Sequence, residues 1–210
     1  MMIEARHYTL KPGGLTEYLR LFESEPGVLE CLRPYLRGFW FTESGVLNSV
    51  HHLWAYENRA ARAAARAAMA ANPAMISLFG KVLPLLQAQQ SSFLSGQMAE
   101  PRAGRTGGIY ERLSLKFLPA MEAGQGEVWL AELEAQLGQH YEIVAALRGY
   151  LFESGSVLRD ALFVLRANSF DERDRHARAV EALLAASPRK ALLADCTTQV
   201  LLPAPFSAWR

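Results

Sequence analysis

Cysteine, long apolar runs and a charge excess of either sign are all scarce in this chain of 210 residues. The two cysteines, Cys31 and Cys196, lie far apart and form no CxxC pair, which excludes a disulfide-rich scaffold and favours a reducing compartment. The 22 basic and 21 acidic residues nearly cancel, whereas dedicated nucleic-acid binders usually carry a strong basic excess. No apolar run is long enough to span a membrane, and the start MMIEARHYTL lacks the features of a secretory signal. We therefore expect a cytoplasmic, globular protein that binds neither nucleic acid nor membranes.

The chain contains two weakly similar halves. Residues 36–41 (LRGFWF) return as residues 147–152 (LRGYLF), and residues 71–73 (ANP) return as residues 186–188 (ASP). These landmarks keep their order along the chain, as expected for a tandem duplication. Chance similarity between two strand-turn-strand pieces is the alternative.

A glycine-rich, charged segment separates the two halves. Its composition is typical of a linker rather than a core element. The sequence thus predicts a first domain over residues 1–98, a linker over 99–108 and a second, degenerate domain over 109–210.

Each half shows the order β-α-β-β-α-β, which is the ferredoxin-like pattern of an α+β protein with helices on one face of an antiparallel sheet. Residues 46–56 carry bulky side chains on both faces of the predicted strand, so both faces need cover. We therefore predict two ferredoxin-like βαββαβ units packed sheet to sheet, as in an intramolecular dimeric α+β barrel.

The first half also resembles a known family. The motifs E-x-R-x-Y-T-L-K-P-G at residues 4–13 and G-x-L-N-x-V-x-H-L-W-x-Y at residues 45–56, with ANP at 71–73, are similar to the NIPSNAP domain over residues 2–95. This resemblance implies the dimeric α+β barrel superfamily. It implies no assigned chemistry, although related barrels include cofactor-independent monooxygenases, isomerases and haem-modifying enzymes.

The alternation of side chains along strands predicts a polar and aromatic pocket. Asn48, His52 and Trp54 share one face of their strand, and Glu4, Arg6 and Tyr8 share one face of the first strand. His52 and Tyr8 are the candidate catalytic residues, with His52 as an acid, a base or a hydrogen-bond donor. The candidate ligand-binding residues are Glu4, Arg6, Trp40, Asn48 and Trp54. The alternative is that these residues are purely structural. Glu4 and Arg6 would then form a buried ion pair, and His52 would be a hydrogen-bonded core residue.

Metal and cofactor sites have little support in the sequence. His51 and His52 point to opposite faces of one strand, so they cannot bind the same ion without distortion, and we predict neither metal nor cofactor. Arg59, Arg62 and Arg66 lie on one helical face, which we interpret as a solvated face rather than an anion site.

Our functional prediction is a NIPSNAP-type protein that binds a small apolar or aromatic metabolite in the barrel interior. Whether it is a cofactor-independent enzyme stays open. The alternative is a non-catalytic scaffold for protein interactions, and assembly into a homo-oligomer is compatible with either reading.

Overall fold

The computed structural model describes residues 1–102, 106–118, 123–151, 155 and 157–209. The strands are β1 (Met2–Leu10), β2 (Leu36–Thr42), β3 (Ser49–Tyr56), β4 (Leu86–Met98), β5 (Ile109–Phe117), β6 (Glu142–Tyr150), β7 (Leu158–Ala167) and β8 (Leu193–Pro203). The helices are α1 (Gly14–Ser24), α2 (Val28–Leu32), α3 (Arg59–Ala71), α4 (Pro73–Val82), α5 (Ala123–Leu137) and α6 (Phe170–Ala186).

Within unit 1, β3 pairs antiparallel with β1 and β2. Within unit 2, β7 pairs antiparallel with β5 and β6, and β5 also pairs antiparallel with β8. This mixed α+β architecture confirms the predicted fold class. In the described part of the chain, no single helix is long and apolar enough to cross a membrane, and only the bent pair α3–α4 passes by length and composition.

The chain divides into two compact units whose limits differ from the predicted domains. Unit 1 comprises Met1–Phe93 and Leu202–Arg210, and unit 2 comprises Leu94–Leu201. The final residues belong to unit 1 because the backbone N–H of Ala204 donates to the Phe39 carbonyl at 3.0 Å. The ring of Phe206 also stacks on Phe22, with centroids 5.3 Å apart. Residues 103–105 of the predicted linker and residues 152–154 and 156 of the second hairpin lie outside the described residues.

In unit 1, β1 and β3 pair so that their polar and aromatic residues lie opposite one another. Glu4 faces Trp54 and Arg6 faces His52 across the antiparallel ladder. The same side of the sheet carries Tyr8, which packs in one core with residues of α1, α2, α3 and α4. The helices therefore cover the row that the sequence analysis identified.

Asparagine caps define the sharp corner between α3 and α4. The side chain of Asn58 accepts a hydrogen bond from the Ala61 N–H at 2.9 Å and begins α3. Asn72 ends α3 and accepts from the Ala74 N–H at 2.9 Å, and Pro73 is the first residue of α4. Proline cannot donate to the preceding turn, so the chain bends by 84° here and α4 begins in a new direction.

Unit 2 has one helix, α5 or α6, where unit 1 has a pair, and serine takes the capping positions that asparagine has in unit 1. Ser169 accepts a hydrogen bond from the Glu172 N–H at the start of α6, as Asn58 does for α3. Glu111 faces Leu165 across the β5–β7 ladder, as Glu4 faces Trp54. By this register Tyr8 corresponds to Leu115. The duplication itself stays a prediction.

Replacing Asn72 by alanine is expected to destabilise the protein by about 1 kcal/mol, because the Ala74 N–H loses its acceptor at the start of α4. Asn72→Ser is the matched control, since Ser187 accepts from the Arg189 N–H at the corresponding corner of unit 2. Urea denaturation measures both changes. Equal losses for alanine and serine would contradict the capping role.

Candidate functional site

A cavity of about 220 Å³ lies inside unit 1 between the sheet and its helices. Its apolar wall comes mainly from the helices, with Tyr18 and Phe22 on α1 and Met75 and Phe79 on α4. The remaining lining residues are Arg6, Tyr8, Leu32, His52, Trp54, Arg66, Val82, Leu83, Leu86 and Gln89. This cavity differs from the predicted site in the barrel interior, because the His52 face of the sheet is the face that the helices cover.

His52 is held among aromatic rings at the sheet wall of the cavity. Its imidazole stacks on Phe39 with centroids 4.7 Å apart, and the Tyr8 ring meets it edge-on at 4.8 Å. The Trp54 Nε1–H donates to His52 Nδ1 at 2.6 Å. The side chain is 3% exposed, and Nε2 has no hydrogen-bond partner among the described residues.

The protonation of His52 is disfavoured by its surroundings. Burial and then the positive charge of Arg6 hold its pKa well below the ordinary value of 6.5. The ring is therefore neutral near neutral pH. A neutral imidazole with an unpartnered buried nitrogen is suited to hydrogen-bonding a molecule in the cavity.

Two arginines place positive charge at the same cavity. Arg6 donates from Nε to Glu4 Oε1 at 3.0 Å, and its guanidinium carbon lies 5.4 Å from the centre of the Tyr8 ring. Arg66 lines the cavity from α3, and no carboxylate of the described chain forms an ion pair with it. Burial raises the pKa of Tyr8, so its phenol stays protonated beside these cations.

Glu4 is an anchor of the fold rather than a lining residue of the cavity. Its fully buried carboxylate accepts from Arg6, from Arg62 at 2.7 and 2.8 Å and from the Ser91 hydroxyl at 2.9 Å. Burial alone would raise the pKa of Glu4, but the hydrogen bond from Arg62 and the charge of Arg6 lower it to about 2. Glu4 does not line this cavity, and its predicted ligand-binding role stays a prediction.

Trp40 and Asn48 also lie away from the cavity. Trp40 follows Phe39, which stacks on His52, so alternation along β2 turns the Trp40 indole to the opposite face of the sheet. Asn48 precedes β3 in a left-handed conformation with φ of 54°, and its carbonyl accepts from the Leu10 N–H at 2.7 Å. Both were predicted to bind the ligand, and neither lines this pocket.

The prediction that the arginine face of α3 is solvated is wrong. Arg62 reaches the buried Glu4, and Arg66 lines the cavity, so this face is not simply solvated. Arg59 and Arg62 also lie over the Phe93 ring, at 5.2 and 5.0 Å from its centre. The spacing of three and four residues was the available signal, but it does not reveal which way a helical face turns.

The first half of the chain is similar in sequence to known proteins of one family. A family model described as NIPSNAP matches residues 3–97. The human protein NipSnap homolog 3A is 40% identical over 68 residues, which span 32% of this chain and 27% of the human protein. A NIPSNAP domain protein of known structure from Burkholderia xenovorans shares 35% identity over 50% of this chain and 99% of its own, with a TM-score of 0.42. The chain belongs to the NIPSNAP family. The resemblance found in the sequence is thereby confirmed.

Other solved structures resemble nearly the whole chain in fold. A monooxygenase-like protein from Fusobacterium nucleatum matches 97% of this chain and 92% of its own, with a TM-score of 0.67 and 11% identity. A similar protein from Lactobacillus acidophilus matches 96% and 92%, with a TM-score of 0.62 and 9% identity. At these identities the likeness shows the fold alone.

Unit 2 serves as an internal comparison for the NIPSNAP site. The anchor recurs there, since Arg173 donates to the buried Glu111 at 2.8 Å, and Arg173 is the fourth residue of α6 as Arg62 is of α3. The cavity residues do not recur. By register and helix position, Arg6, Tyr8, His52, Trp54 and Arg66 correspond to Leu113, Leu115, Phe163, Leu165 and Ala177. Unit 2 therefore folds without the polar residues of the candidate site. The anchor occurs in both units, whereas the cavity residues occur only in unit 1.

Among the described residues, no group of three or more histidine, cysteine, aspartate or glutamate side chains could hold a metal ion. The polar groups of the cavity are cationic or neutral donors instead. Such groups suit an anionic or hydrogen-bond-accepting ligand.

Replacing Glu4 by glutamine is expected to destabilise the protein by about 3–5 kcal/mol, because Arg6 and Arg62 lose the buried charge that they share. Glu17→Gln is the matched control, since Glu17 pairs with Arg20 on the surface and its loss should change little. Denaturant midpoints for the two variants test the difference. Similar small changes in both would contradict the anchoring role.

The pH dependence of stability should carry a contribution from His52. The unfolded chain binds a proton at this residue below about pH 6.5, whereas the folded chain does not, so stability falls as the pH falls through this window. Relative to His52→Gln, the wild type should lose about 1.4 kcal/mol in total between pH 7.5 and 5.5. The remaining histidines are common to both proteins and cancel in the comparison. Parallel stability curves from pH 7.5 to 5.5 would refute the buried neutral imidazole.

Proposed function

We propose that unit 1 binds a small apolar molecule with an anionic group, in the cavity between its sheet and helices. The observation that carries the proposal is the buried Nε2 of His52, a residue that lines the cavity, because this nitrogen has no hydrogen-bond partner among the described residues. A buried polar atom left without a partner costs about 1–3 kcal/mol, so a ligand that bonds it gains from relieving this cost.

The charges around the cavity favour an anion. Arg6 and Arg62 both form ion pairs with Glu4, so one negative charge is balanced against two positive charges. Arg66 adds a further positive charge at the cavity. A carboxylate near Arg66 and His52 would receive charge-assisted hydrogen bonds, which are about twice as strong as neutral ones.

The size and lining of the cavity limit the rest of the ligand. A volume of about 220 Å³ equals that of roughly seven water molecules in the liquid, which suits a ligand of about ten non-hydrogen atoms. Phe22, Met75, Phe79 and Val82 offer an apolar wall to a short alkyl chain or a single aromatic ring. A catalytic role of His52 and Tyr8 on such a ligand stays a prediction.

Isothermal titration calorimetry with octanoate and 3-phenylpropionate tests this function, and octanamide serves as the uncharged probe. Both carboxylates should bind, and octanamide should bind roughly tenfold more weakly, because it lacks the charge that Arg6 and Arg66 recognise. Arg66→Gln should weaken octanoate binding roughly tenfold as well.

Arg59→Gln is the matched control, because Arg59 lies on the same helix and carries the same charge but does not line the cavity. It should leave octanoate binding unchanged. Absence of binding by either carboxylate, or equal effects of the two arginine substitutions, would refute the proposed function. In that case the scaffold alternative from the sequence analysis would gain support.

A further inference from the structure

The hydrogen bond between Trp54 and His52 determines where the imidazole carries its proton. The two side chains lie two positions apart on one face of β3, and the indole Nε1 is 2.6 Å from His52 Nδ1. An indole N–H can donate but cannot accept. Nδ1 must therefore be the acceptor and carry no proton, which leaves the single proton of the neutral ring on Nε2.

The surrounding rings keep the imidazole in this orientation. Phe39 covers one face of the His52 ring with an interplanar angle of 17°, and Tyr8 approaches it edge-on at 87°. Turning the ring over would exchange its two nitrogens only by breaking the Trp54 bond and these contacts. The Nε2–H is thus a fixed donor without a partner in the described structure, at the wall of the cavity.

We propose that Trp54 is a positioning residue that holds His52 as an Nε2–H donor, so that the cavity selects ligands presenting a hydrogen-bond acceptor, such as a carboxylate oxygen, at this point. The choice of ligand rests on the proposed function, whereas the state of the imidazole does not. A general-base role for His52 is excluded in this arrangement, because Nδ1 is engaged by Trp54 and Nε2 already carries a proton.

A comparison with unit 2 supports the inference that His52 and Trp54 act together. The positions of His52 and Trp54 are occupied there by Phe163 and Leu165, so the imidazole and its indole partner are lost together. Both replacements are buried in an apolar core. A tryptophan kept only to fill the core would not need to disappear with the histidine.

Nitrogen-15 NMR of histidine-labelled protein without ligand tests the imidazole state directly. In the wild type, His52 should show the neutral form protonated at Nε2 alone. Trp54→Phe should give a mixture of the two neutral forms, because Nδ1 loses its donor. Tyr56→Phe is the matched control, since Tyr56 lies on the same strand face and its hydroxyl bonds no described residue, and it should leave the His52 signals unchanged. A wild-type ring protonated at Nδ1 would overturn the proposal even if Trp54→Phe does not fold.

Binding measurements test the selectivity, with octanoate as the acceptor probe and butylbenzene as an apolar probe of the same size. Trp54→Phe should weaken octanoate roughly fivefold, because only a fraction of the molecules keep the competent donor. It should not weaken butylbenzene, which makes no hydrogen bond. Equal losses for both probes would show that Trp54 acts only by shaping the cavity and would overturn the selectivity. If neither probe binds the wild type, the proposed function fails and the selectivity with it, while the NMR result still decides the imidazole state.

Discussion

The buried carboxylate of Glu4 is the constraint on which the rest of unit 1 depends. A charge with no exposed surface is tolerated only when every oxygen is bonded, and Arg6, Arg62 and Ser91 supply those bonds from β1, α3 and β4. The ion pair thereby sets the rotation of α3 about its axis. With Arg62 on Glu4, Arg66 comes to the cavity one turn further along.

The same anchor in unit 2, formed by Glu111 and Arg173, shows which part of this arrangement the fold requires. There the strand positions that correspond to Arg6, Tyr8, His52 and Trp54 carry buried apolar residues, Leu113, Leu115, Phe163 and Leu165. In unit 1 the same positions carry a guanidinium group, a phenol, an imidazole and an indole. Because polar groups in a core cost stability unless they are bonded, their presence in one unit alone supports the proposed ligand site.

The alternation of side chains along strands predicts which residues share a face of the sheet. It does not predict whether that face turns toward the helices. Arg6, Tyr8, His52 and Trp54 were predicted to share a surface, and they line one cavity. This cavity lies on the face that the helices cover, which hydrophobicity does not distinguish from the other face because β3 is buried on both. The predicted position of Asn48 on the same face was wrong for a local reason. Its backbone is left-handed and lies before β3 begins, where the alternation of side chains does not apply.

The NIPSNAP family, the α+β class and the pairing of polar with aromatic residues can be predicted from the amino-acid sequence, since they follow from short motifs and from the period of side chains along strands. The folded chain was needed to show that Glu4 is an anchor, that Arg66 lines the cavity and that Trp54 donates to His52. Each of these depends on the position of one side chain relative to another element or to a neighbouring ring. Periodicity places residues on a face, but contacts across the core are set by how the faces pack.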